Sequence, residues 1–114
     1  MQQSETSLPE FYQVAVQHPG VSGFEVLDML MLRDKLMQQL TSLTSKENAQ
    51  LVTADQALLA HIAEFYAELT QITSLEYERQ QRKPTPEQWW WYLDVLLQLP
   101  ELSARFSEPA LTPA

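Results

Sequence analysis

Apolar residues recur along this chain at steps of three and four, the interval that gathers side chains on one side of an α-helix. The longest run is Leu51, Asp55, Leu58, Ile62, Phe65, Leu69 and Ile72. Its alternation of four and three is a heptad seam with one polar member, and it predicts one long helix over about 45–83. A second stripe, Met29, Leu32, Leu36, Leu40 and Leu43, is widened by Val26, Leu30 and Met37. It predicts a helix over about 22–42 that is buried on more than one side. Phe11, Val14 and Ala15 mark the expected buried face of a shorter helix over about 8–17. Beyond Pro84, residues 89–99 are apolar on almost every side, interrupted only by Asp94 and Gln98, and predict a fourth helix.

The starts of these helices carry a signature of their own. A Ser or Thr followed three residues later by Glu or Gln can form a capping box. The hydroxyl accepts from the backbone N–H three residues on, and the longer side chain returns to the cap's own N–H. The pattern occurs at Ser7 and Glu10, Ser22 and Glu25, Thr44 and Glu47, and Thr85 and Gln88, each ahead of an apolar run. Pro9 and Pro86 suit a first helical turn, where the missing N–H leaves no intrahelical bond unmade. Thr53 with Gln56 repeats the pattern inside the long helix, so a kink there is the expected place for any loss of continuity. His18, Pro19 and Gly20 stop the first helix and Pro100 the fourth, after which 101–106 add at most one turn.

These elements predict an all-α fold: an antiparallel four-helix domain, a helical bundle organised around one long central helix. At about 1.5 Å per residue the central helix would reach ~57 Å against ~30 Å for the second, so no single neighbour can cover it. The second helix is expected on its first half and the fourth along its second half, with the first filling the remaining groove. Short connections favour antiparallel neighbours. Residues 8–106 form the domain, with 1–7 and 107–114 as flexible ends.

Composition adds limits. A hydrophobic share of 45% is enough for one real core. The only two glycines fall between Pro19 and Phe24, which fits few turns and long elements. A net charge of −8 works against binding phosphate backbones or anionic lipid, so nucleic acid is not an expected partner. The absence of cysteine excludes disulfides, thiolate metal sites and a cysteine nucleophile. Residues 1–8 lack the basic start and apolar stretch of a secretory signal, and 89–99 is too short to cross a bilayer. A cytoplasmic location is the expectation.

Catalytic chemistry finds little support. No serine sits in a glycine-flanked elbow and no glycine-rich loop could cradle phosphate. His61, Glu64 and Glu68 share one helix face and are a weak metal candidate, since further ligands would have to come from elsewhere. No cofactor is expected. Between Glu47 and Glu78 lie Asp55, Glu64, Glu68 and Glu76 and no Lys or Arg. This acidic face is ordinary for a solvated helix, or else a mimic of nucleic acid directed at a DNA-binding protein.

The tetrad Trp89-Trp90-Trp91-Tyr92 is the most unusual feature. On an α-helix four consecutive residues point to all sides. Some of these rings are therefore expected at the surface, where Trp and Tyr act as binding hot spots. The resulting expectation is a non-catalytic helical interaction module, an adaptor, assembly factor or regulatory subunit, that forms a homodimer. Trp89, Trp90, Tyr92, Leu93 and Leu96 would make the contact, with Arg79 and Arg82 at its rim. Peripheral membrane contact through the same tetrad is the lesser expectation, because that helix lacks a basic polar face. An acidic nucleic-acid mimic and a small metal-binding protein are the rival classes.

Overall fold

Residues 8–99 are described by the structure, a computed structural model. Among them the chain is all-helical, with no strand. The order is α1 (Leu8–Ala15), α2 (Gly23–Gln38), α3 (Ser45–Ala60), α4 (Ile62–Leu69), α5 (Leu75–Arg82) and α6 (Leu93–Gln98), with 3-10 turns at Leu40–Ser42 and Trp89–Tyr92. No helix among the described residues is long and apolar enough to cross a membrane. The segment 1–7 with its cap at Ser7, the extra turn over 101–106 and the tail 107–114 lie outside the described residues.

The caps locate helix starts unevenly. Thr44 and Glu47 close both halves of the box that opens α3, at 3.1 and 2.9 Å. Ser22 closes one half at the start of α2, accepting from the Glu25 N–H at 3.3 Å. At Thr85 the Gln88 side chain does return to the cap's N–H, at 2.8 Å. No α-helix follows it, however: the chain turns and enters the 3-10 turn at Trp89. Ser74 caps α5 by accepting from the Tyr77 N–H at 3.0 Å. With Tyr where a box needs Glu or Gln, that start carries no box signature.

The long helix expected over 45–83 is instead three helices. Thr53 lies inside an unbroken α3; the first break falls at His61, which ends α3 and begins α4 with φ −110° and ψ 24°. A second break spans 70–74, where Thr70, Thr73 and Ser74 supply hydroxyls that compete with the helical ladder. Thr70 indeed donates to the Ala67 carbonyl at 2.9 Å. The seam itself survives the breaks. Leu51, Leu58, Phe65 and Leu69 are buried, with Asp55, Ile62 and Ile72 half-buried beside them.

Packing also exchanges two expected neighbours. It is α1, not the second helix, that lies along α3, while α2 runs along α4. The start of α2 meets the end of α4 so closely that a Cβ at Gly23 would run into the Glu68 carbonyl oxygen and crowd Ile72. The face of α1 is rotated from the expected one as well. Tyr12 and Val16 are buried, and Phe11 and Val14 are each 52% exposed. Both stripes of α1 are apolar, but only Tyr12 can use a buried acceptor: its hydroxyl donates to Asp55 of α3 at 2.6 Å.

The Gly23 approach makes a direct prediction. Gly23→Ala should destabilise the fold by about 1–3 kcal/mol, because backbone must move to admit a methyl group. Gly20→Ala should change stability little, since nothing lies within 4 Å of its added Cβ. Urea denaturation of the two variants side by side checks the contrast.

Candidate functional site

The tryptophan tetrad is inside the molecule. Trp89, Trp90 and Trp91 are 8, 1 and 0% exposed, and Leu93 and Leu96 are buried with them. The tight turn over Trp89–Tyr92 lets three consecutive rings enter one core, where an α-helix would have splayed them. Their polar edges are satisfied from α2. Asp34 accepts from Trp90 Nε1 at 2.7 Å, from Trp91 Nε1 at 2.9 Å and from Gln88 Nε2 at 3.0 Å. Trp89 stands edge-on to Trp90, centroids 5.6 Å apart. The Tyr92 hydroxyl reaches the Pro84 carbonyl at 3.3 Å.

Cations cover the ring faces. The Arg33 guanidinium lies 4.2 Å from the Trp90 centroid, Arg82 4.6 Å from Trp91 and Arg79 5.0 Å from Tyr92. Each guanidinium is also held by a carboxylate. Arg33 grips Asp55 through two nitrogens, both at 3.0 Å. Arg82 meets Glu78 at 2.8 Å, and Thr73 donates to the same carboxylate at 2.8 Å. Arg79 holds Asp94 at 2.8 and 3.0 Å and donates to the Trp91 carbonyl at 2.9 Å. Among the described residues Arg33 Nη1 is a buried side-chain atom without a hydrogen-bond partner, and the indole face offers the guanidinium a cation–π contact.

Three groups are shifted from their ordinary titration in consequence. Burial opposes ionisation of Asp94, but the hydrogen bond and charge of Arg79, helped by backbone N–H groups, outweigh it and hold the carboxyl below its usual range. The same hydrogen bond raises Arg79. Tyr12 is pushed well above the ordinary phenol range, chiefly by burial and then by the negative charge of Asp55.

The expected contact residues therefore hold the monomer together. Trp89, Trp90, Leu93 and Leu96 are core, Tyr92 is half-buried, and Arg79 and Arg82 are tied to Asp94 and Glu78. The expectation placed aromatic rings outside because a helix would have put them there; the 3-10 turn and Asp34, more than fifty residues away, were not visible in the local pattern. The metal candidate does not assemble either. His61 Nδ1 pairs with Glu64 at 2.9 Å on the surface, and among the described residues no group of three His, Asp or Glu could hold a metal ion. Of the acidic run, Asp55 and Glu78 are committed to Arg33 and Arg82.

What lies open is the furrow between α1 and α2. It holds two adjoining cavities of about 260 Å³ each. Phe11, Ala15, Asp28, Met29 and Leu32 line one, Val14, Ala15, His18, Val21 and Met29 the other, and Glu25 faces both. Sequence reasoning missed this face because it assigned Phe11 and Val14 to the core. The available signal was that Leu8, Tyr12, Ala15 and Val16 form a second apolar stripe, leaving one of the two without a place. No family model matches this chain, and no curated protein or solved structure matches it either.

Two tests follow from the tetrad. Asp34→Ala leaves two buried indole N–H groups without an acceptor and should cost about 3 kcal/mol, whereas Asp34→Asn keeps one carbonyl acceptor and should cost about 1 kcal/mol. Chemical denaturation monitored by tryptophan fluorescence reads both. For pH, a depressed Asp94 contributes stability that is complete above its unfolded pKa of about 3.9 and is lost as pH falls through the lower folded value. The denaturation midpoint of Asp94→Asn should accordingly fall less steeply below about pH 4 than that of the parent. Equal acid slopes would remove this role from the Arg79–Asp94 pair.

Proposed function

We propose that this chain is a non-catalytic helical interaction module that docks a protein partner on its α1–α2 face. The observation that carries the reading is the furrow, an apolar floor of Ala15, Met29 and Leu32 with Phe11 and Val14 left exposed beside it. Phe24 and Met31, also exposed, sit on α2 four before and three after Asp28, so by helical spacing they extend the same surface. A soluble protein rarely exposes clustered large apolar groups without using them. Meanwhile the polar groups best suited to chemistry, Arg33, Asp55, Asp34, Arg79 and Asp94, are engaged in holding the core.

Outward-facing indoles were the ground for expecting a homodimer, and with the rings enclosed that ground is gone. The nucleic-acid mimic is likewise less favoured, since Asp55 and Glu78 of the acidic run are neutralised internally.

The paired variant Phe11→Ala, Val14→Ser tests the reading. It should lower folding stability by about 1 kcal/mol or less, both side chains being half-exposed, and reduce partner retention in affinity capture by about thirtyfold or more, as expected for hot-spot loss. Val52→Ser, on the exposed side of α3, should retain the partner and serves as the control. Equal retention by the parent and the paired variant would overturn the assignment of this face.

A further inference from the structure

We infer that the occupant of the α1–α2 furrow is a basic amphipathic helix of another protein. This rests on the docking role just assigned to that face and specifies its partner. Two features of the furrow carry the step. The first is its period. The two cavities share Ala15, Glu25 and Met29; Phe11 walls one and Val14, about one turn further along α1, walls the other, which the α1–α2 connection closes with His18 and Val21. Adjacent hollows one turn apart suit apolar anchors spaced three or four residues apart on a helix, which lie about 5–6 Å from each other. An extended strand presents successive side chains on one side at nearly 7 Å and alternates the rest away.

The second feature is charge. Glu25 and Asp28 are exposed in the furrow wall, and no cation among the described residues pairs with either. Arg33, the nearest guanidinium on α2, is turned inward to Asp55, and Lys35 lies two turns beyond Asp28. A furrow with an apolar floor and two open carboxylates selects Lys or Arg beside the partner's apolar stripe. It also disfavours a second copy of this chain, because a twofold contact across the furrow would set Glu25 and Asp28 against their own counterparts.

The test uses two fluorescently labelled synthetic peptides of about eighteen residues, long enough to span the ~24 Å of α2 when helical. Both carry Leu at positions i, i+4 and i+7; one has Lys flanking the stripe and the other Glu. Anisotropy titration against the full chain should show the Lys peptide binding at least about tenfold more tightly than the Glu peptide, with the difference shrinking as salt rises. The double variant Glu25→Gln, Asp28→Asn should erase most of that preference while its circular dichroism stays that of the parent. If both peptides bind equally and Phe11→Ala weakens both, the docking face stands and the basic partner is overturned. If neither peptide binds, the basic helix is overturned, and the docking face is decided by the Phe11→Ala, Val14→Ser capture experiment. Sedimentation showing a dimer that Phe11→Ala dissociates would overturn the basic helix in favour of a second copy.

Discussion

An indole taken out of water must find an acceptor for its N–H, and in this molecule one carboxyl group on α2 meets that demand for two of them. Asp34 receives Trp90, Trp91 and Gln88 together. An unmade hydrogen bond at a buried donor costs about 1–3 kcal/mol. The C-terminal third of the described chain can therefore enter the core only in the one register that brings all three donors to Asp34. That single contact determines where the 3-10 turn sits, how α6 leaves it, and which faces of Tyr92 and Trp91 meet Arg79 and Arg82.

Asp34's neighbour in sequence, Arg33, does the complementary work. It faces α3, pairs with Asp55 and lies across Trp90, while Tyr12 donates to the same carboxylate from α1. A buried ion pair is weak evidence for net stability, since removing two charges from water offsets much of their attraction. Its effect here is on arrangement. Three helices converge on Asp55, and a shift of α1 by one residue would carry Tyr12 out of reach. This is the reason α1 shows Tyr12 rather than Phe11 to the interior. Both rings are apolar, and only one has a hydroxyl that reaches Asp55.

Legibility in the sequence followed range. The α2 and α3 starts at Ser22 and Thr44 could be read locally because the cap hydroxyl and the N–H that donates to it lie three residues apart. Direction of burial along Leu51, Leu58, Phe65 and Leu69 was equally readable, since a heptad step survives small breaks. Continuity was not. His61 occupies a non-helical φ/ψ inside an otherwise regular pattern, and Thr70 and Thr73 use their hydroxyls where the periodicity alone would carry the helix on. The enclosure of the tetrad was out of reach for a further reason. Its acceptor stands 56 residues before Trp90 and looks, in sequence, like any solvent-facing Asp on a helix. Likewise Arg79 and Arg82 resemble a C-terminal basic turn, and their grip on Asp94 and Glu78 emerges only from the tertiary fold.

The open furrow is a consequence of the same arrangement. Helix α1 has 8 residues and α2 has 16, so α1 spans only about half of the surface beside it. Its inward stripe is committed to α3 through Tyr12, which leaves Phe11 and Val14 on the rim of the furrow, each 52% exposed. Rotating α1 to turn Phe11 onto Met29 and Leu32 would carry the Tyr12 hydroxyl off Asp55. Stability and exposure are thus set by one side chain. The bond that fixes α1 in register also prevents it from sealing α2, and an apolar surface fringed by Glu25 and Asp28 is what that compromise leaves facing outward.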